Sequence, residues 1–163
     1  MKQLDFNYLK YEIIIPVLND MDLNSGSAVN LLLGTAAQES HFGTYIRQIG
    51  FDNKTLNGGF GIYQIELLTC KDVLFRYFPQ HRPDLHEYCL SLKKDGASLQ
   101  DELMNNHKFS TAICRGKYLE IAKSLPDEYD IEGLAKYWKK YYNTEKGKGT
   151  VEDFVKNYKK FCL

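Results

Sequence analysis

Charge of one sign is not in surplus anywhere in the total: 21 Lys and Arg stand against 21 Asp and Glu in 163 residues. A chain with no net charge has little long-range attraction for a polyanion, which argues against a nucleic-acid partner. Long apolar runs are missing too. Ile13-Ile14-Ile15-Pro16-Val17-Leu18 is the strongest early stretch. It is far too short to cross a bilayer and no small-residue cleavage site follows it, so neither a membrane span nor a signal peptide is expected. Cysteine is sparse. Cys70, Cys89, Cys114 and Cys162 lie at long, irregular intervals that match neither a zinc pattern nor a disulfide framework. They are expected to be reduced small hydrophobes in a protein made in a cytoplasm. His81, His86 and Cys89 lack the second tight pair that a tetrahedral metal site uses, so neither a metal nor any other cofactor is expected. Lys146-Gly147-Lys148-Gly149-Thr150 lacks the upstream glycine of a phosphate loop and reads as a connector. There is no repeat, low-complexity segment or linker. One domain over 1–163 is expected, large enough to bury roughly 70% of its unfolded surface without a staple.

What the chain does have is helical periodicity. An amphipathic helix is expected from about 5 to 20, bent or interrupted at Pro16. Asn24 or Ser25 can cap a second helix that runs to Ser40. Shorter helices are expected from about Cys70 to Tyr77 and from Pro83, where proline suits a first turn. Phe109 to Ser124 reads as a central packing helix. Asp130 can cap a helix from Leu134 to Tyr142, and Thr150 with Asp153 opens the last one. Residues 136–163 carry eight lysines against Glu145, Glu152 and Asp153. That basic end is either a solvated helix face or a surface for an anionic cell wall or membrane. Trp138, Tyr141 and Tyr142 lie among these lysines, but no nucleic-acid motif accompanies them and one helix cannot aim all three the same way.

The most informative stretch is Leu31-Leu32-Leu33-Gly34-Thr35-Ala36-Ala37-Gln38-Glu39-Ser40. It is an apolar helix that ends in a single carboxylate. Glu39 lies over Thr35 and Ala36, with Leu32 a turn further back, and none of these offers it a charge. A desolvated carboxyl keeps its proton to higher pH and can serve as a general acid. The alternative is a helix-end glutamate that simply reaches water.

A glycine-rich segment follows. Asn57-Gly58 is a hairpin signal, and Phe60-Gly61-Ile62-Tyr63-Gln64-Ile65 alternates with the period of a strand. Gly61 within it marks a close approach of backbone or ligand. Gln64 offers an amide donor and acceptor beside aromatic rings, which suits a sugar with hydroxyl and N-acetyl groups. Thr69 with Asp72 reads as a helix start. Asp52, thirteen residues after Glu39, is either a turn residue or a second carboxylate of the kind glycosidases place across the scissile bond.

Taken in order, Glu39-Ser40 at the end of an apolar helix, Gly61-Ile62-Tyr63-Gln64-Ile65 followed by Thr69, and Tyr142-Asn143 resemble the three motifs of lytic transglycosylases related to goose-type lysozyme. Gly34-Thr35-Ala36-Ala37-Gln38-Glu39-Ser40 looks most like the compact phage-encoded members. Leu67 stands where that family has proline, Tyr141 where it has alanine, and Thr144 where it has a small residue.

The resemblance implies an α+β, mainly helical, lysozyme-like fold with one small early sheet. It implies cleavage of the β-1,4 bond between N-acetylmuramic acid and N-acetylglucosamine in peptidoglycan. Glu39 would be the acid, and Ser40, Gly61, Tyr63, Gln64, Tyr142 and Asn143 would bind the sugar. Without Asp52 the outcome is a 1,6-anhydro product; with it, a lysozyme-type hydrolysis. The partners implied are peptidoglycan glycan strands and, for a virion component, other phage particle or lysis proteins. The domain is expected to be a monomer that acts in the cell wall or periplasm. A glycan-gripping structural protein of a phage particle is the rival reading.

Overall fold

The computed structural model describes residues 2–46, 58–144 and 147–163. Asp52 and Asn57, two of the positions singled out above, lie outside them.

Among the described residues the chain is mainly helical with one two-stranded antiparallel sheet. A π-helical segment, Tyr8–Ile14, runs into α1 (Ile15–Asp20). Proline explains the change of register. Pro16 has no N–H, and its ring crowds the carbonyl four residues back. The turn before it widens, and the N–H of Ile15 bonds to Lys10 O, five residues back. The same thing happens before Pro79. There α3 (Leu67–Asp72) passes into a π-helical segment, Val73–Tyr77, whose last bond runs from Phe78 N–H to Val73 O, and then into α4 (Phe78–His81). The bend expected at Pro16 is thus a widened turn rather than a break.

Between these, α2 (Gly26–Ser40) is capped by Ser25, whose hydroxyl accepts from Ala28 N–H. It is buried along most of its length, from Ala28 to Ala37. It is the central rod: the helices His107–Leu119, Ile131–Trp138 and Val151–Cys162 and the Tyr8–Ile14 segment all pack on it. After Pro83 opens α5 (Pro83–Leu92), α6 (Leu99–Asn105) follows, capped by Ser98. Next come α7 (His107–Leu119), capped by Asn106, and α8 (Ile131–Trp138), capped by Asp130. A third π-helical segment, Lys139–Asn143, extends α8. The last helix, α9 (Val151–Cys162), opens with the full Thr150/Asp153 capping box.

Three expectations need correction. The central helix stops at Leu119, five residues short of Ser124, because Glu120 and Ile121 close it with bonds to Gly116 and Tyr118. The helix assigned to Thr69 and Asp72 starts at Leu67, with Glu66 as the capping position. Phe60 to Ile65 is not one alternating strand. β1 (Gly59–Phe60) pairs with β2 (Ile65–Glu66), and Gly61 to Gln64 form the turn between them. Two left-handed residues close that turn, Gly61 at φ +76° and Gln64 at φ +49°. Gly61 is required twice over: any Cβ there would overlap the Leu103 carbonyl as α6 passes beneath. The close backbone approach expected at this glycine is therefore to α6. All four cysteines are free and buried. No helix among the described residues is long and apolar enough to cross a membrane.

Candidate active site

Glu39 is the penultimate residue of α2, on a helix face that the surrounding elements close over. Its position is set by a relay of ring contacts. Gly34, five residues back, has no side chain, and the Phe154 ring of α9 occupies the space a Cβ would fill. Trp138 of α8 packs on Phe154 with ring centres 5.4 Å apart. Held there, the fully buried indole donates its Nε1–H to Glu39 Oε1 at 2.9 Å. Burial pushes the Glu39 carboxyl up to about 7, against the smaller opposing effects of the indole bond and the charge of Lys117. Glu39's own helix offers it no charge, as the sequence suggested; the tempering charge comes from α7.

The turn after β1 meets this helix end. Its peptide groups are buried, since Ile62 and Tyr63 are both 0% exposed, so their carbonyls need donors from inside the protein. Ser40 Oγ donates to Ile62 O at 2.7 Å and accepts from Gly43 N–H at 2.8 Å. Tyr142 Oη donates to Tyr63 O at 2.6 Å. Tyr63 Oη in turn pairs with Thr111 Oγ1 at 2.9 Å. The three widely separated stretches around Glu39, Gly61 and Tyr142 therefore converge on a single buried turn.

That geometry revises the roles expected of several residues. Ser40 and Tyr63 are fully buried with their hydroxyls engaged, and Tyr142 is 6% exposed with its hydroxyl on a carbonyl. As placed, their hydroxyls serve the frame of the site. Gly61 shapes the turn. Gln64 donates through Nε2 to Tyr45 O and Gly61 O, at 3.0 and 2.9 Å, and its amide oxygen has no partner among the described residues. Asn143 accepts from Lys139 Nζ, which also binds Gly147 O, so its contacts are with the loop before α9 rather than with Glu39. The chain leaves Asn143 through Thr144 at φ +70° and ψ 166°, a backbone region normally left to glycine.

Backbone strain collects beside Glu39. His41 and Phe42 follow it at φ +50° and +55°, then Gly43 at +88°. Left-handed conformations at His41 and Phe42 cost energy that the surrounding packing must supply. His41 stacks on Phe161 with centres 5.2 Å apart, and Phe42 is buried at the core edge.

Two participants were not singled out from sequence. One is Trp138 as the donor to Glu39; its being the single tryptophan was the available signal. The other is Lys117. Its Nζ donates to Tyr142 O at 3.1 Å and lies 3.8 Å from the Tyr142 ring centre. Beneath it, Tyr142 stacks on Tyr118, whose hydroxyl pairs with Thr35 Oγ1 at 2.8 Å. Burial holds the phenols of Tyr63, Tyr118 and Tyr142 well above their usual range, so all three remain neutral. From Lys117 a groove of about 390 Å³ runs between α3 and the end of α7. No group of three or more His, Cys, Asp or Glu among the described residues is placed to hold a metal ion.

No family model, curated protein or solved structure matches the chain.

Proposed function

We propose that this chain cleaves peptidoglycan glycan strands at the β-1,4 bond between N-acetylmuramic acid and N-acetylglucosamine, in a lysozyme-like fold, with Glu39 as general acid and then base. The observation that carries the reading is the state of Glu39: a half-buried carboxyl whose pKa desolvation raises to about 7, with one neutral donor, on one oxygen, among the described residues. Such a group is protonated often enough to give its proton to a bridging oxygen. Once ionised, it is basic enough to take one back. The meeting of Ser40, the Gly61–Gln64 turn and Tyr142 around it is further support, because the same three stretches carry the family resemblance.

In the reaction, Glu39 protonates the glycosidic oxygen and the N-acetyl group of the muramoyl sugar assists departure of the leaving sugar. Glu39 then accepts the proton of the muramoyl sugar's own 6-hydroxyl as that oxygen closes on the same sugar's anomeric carbon. The product ends in a 1,6-anhydro ring. No second carboxylate and no cofactor takes part. Trp138 keeps the carboxyl oriented, and the free oxygen of Gln64 is available to an N–H of the substrate. The site of action is the cell wall, reached with other phage lysis or particle proteins.

Incubating the purified protein with peptidoglycan and analysing the soluble fraction by mass spectrometry tests this. Muropeptides lighter by one water than the hydrolytic products are expected. Reducing-end products would mean a water-using hydrolase, with Asp52 the residue to test next. Retention on the insoluble wall without release of any fragment would mean a glycan-binding protein instead.

A further inference from the structure

The groove beyond Lys117 has a charge order of its own. At its inner end Lys117 makes one hydrogen bond, to Tyr142 O, and its remaining N–H groups have no acceptor among the described residues. The carbonyl it holds is that of Tyr142, one helical turn beyond Trp138, the donor to Glu39, so the inner end adjoins the proposed site of bond cleavage. The walls are apolar: Ile121, Tyr141 and Leu68, the last 77% exposed despite its size. The outer end is acidic. Asp72 and Glu120 share a single guanidinium, Arg76, which bonds both Asp72 oxygens and Glu120 Oε2. Two carboxylates against one cation leave a negative charge. Glu120 Oε1 has no partner among the described residues, and burial and the neighbouring Asp72 raise the Glu120 carboxyl above its usual range. A volume near 390 Å³ is within the ~300–1,000 Å³ of clefts that take small ligands.

A bare glycan chain fits only half of this groove: the lactyl carboxylates of its muramoyl sugars can meet Lys117, but it has no cation for the acidic end. The peptide attached to the muramoyl sugar fits both ends. Read outward from the sugar, it presents a free carboxylate and then a side-chain amine. We propose that the groove between α3 and the end of α7 is a subsite for this peptide, with Lys117 receiving the carboxylate and Glu120 the amine. The proposal rests on the glycan-cleavage reading for its orientation, since it sets the cation beside Glu39 and the acid one helical turn away. It makes the enzyme prefer strands that still bear their peptides.

The test is a titration of the free tripeptide L-Ala–γ-D-Glu–L-Lys into the folded protein, followed by calorimetry or amide chemical shifts. Saturable binding is expected. Glu120→Gln should weaken it about tenfold, the worth of one charge-assisted hydrogen bond. A tripeptide with the amine before the carboxylate should bind more weakly than the natural order. In parallel, initial rates are compared on intact peptidoglycan and on glycan stripped of peptides by an amidase, and the intact substrate should be cut faster. Absence of saturable tripeptide binding, or binding indifferent to Glu120→Gln, overturns the subsite. Cleavage of neither substrate, with Glu120-dependent peptide binding intact, overturns the glycan-cleavage reading and leaves the groove a peptide site.

Discussion

Glu39 and Glu102 are both glutamates withdrawn from water, yet their surroundings have little in common. Glu102 of α6 is 2% exposed, and the chain fills both its oxygens: Oε1 accepts from Lys94 N–H at 3.1 Å and Oε2 from Asn106 Nδ2 at 2.5 Å. Asn106 also caps α7 and donates to Leu92 O, so Glu102 joins the ends of three helices. Glu39 accepts one bond, from a neutral indole, and its second oxygen has no donor among the described residues. Burial by itself does not make a chemical group. A withdrawn carboxyl with both oxygens engaged is a fastener; one left with a spare oxygen and no cation in contact is able to exchange a proton.

The comparison breaks most visibly in activity. Glu39→Gln retains the shape and the indole bond but not the proton, and release of soluble muropeptides should fall at least ~10²-fold in a protein with unchanged circular dichroism. Glu102→Gln should lose only what its unfolded fraction accounts for. Near-normal turnover by folded Glu39→Gln would remove the chemical role from Glu39.

Stability should divide the two residues next. The Glu39 carboxyl holds its proton up to about 7 in the folded chain against an ordinary value of 4.5. Between those values the folded state binds a proton that the unfolded state has released, so stability falls as pH rises through that window. Glu39→Gln removes the dependence. Urea unfolding should show it roughly 3 kcal/mol more stable than wild type at pH 8 and no more stable at pH 4. Glu102→Ala should go the other way at both pH values, by about 2–3 kcal/mol, because Lys94 N–H and the Asn106 amide lose their acceptor.

Two smaller effects sharpen the contrast. Trp138→Phe keeps the contact with Phe154 but deletes the N–H that favours the carboxylate. The alkaline limb of kcat/KM should move up by about 0.5–1 pH unit, since a neutral hydrogen bond is worth ~1 kcal/mol. A downward move would mean that the indole acts on Glu39 through something other than its hydrogen bond. Tyr142→Phe should cost about 1 kcal/mol of stability by leaving Tyr63 O without its donor, with the stack on Tyr118 retained.

Local chemistry was legible where it depends on neighbours in the chain. Ser25, Asp130 and the Thr150/Asp153 pair cap the helices they were expected to cap, because a cap is decided within three residues. Pro16 was read as a bend or interruption, and the widened turn is the form it takes; the same effect before Pro79 was not anticipated. Gly61 was recognised as a close approach, although not what approaches it. The alternation from Phe60 to Ile65 misled because a buried turn also sends apolar side chains inward, and periodicity does not tell it from a strand. Helix α6 was missed; its capping serine and short apolar pattern gave little periodicity to read. Ser40, Tyr63 and Tyr142 were expected at the site and are there, but their hydroxyls serve a buried turn. No linear pattern shows which buried carbonyl a hydroxyl must satisfy.

The sequence by itself determined a mainly helical domain and pointed to Glu39 as the carboxyl to watch, since hydrophobic periodicity and the lack of a charged neighbour on its helix are properties of short stretches. Only the tertiary structure decided what that carboxyl is. Trp138 lies 99 residues away and reaches it through Phe154 and the notch at Gly34; Lys117 comes from a third helix. Desolvation and charge act through space at a few ångströms, and which residues come that close depends on how α2, α7, α8 and α9 pack, not on their order along the chain.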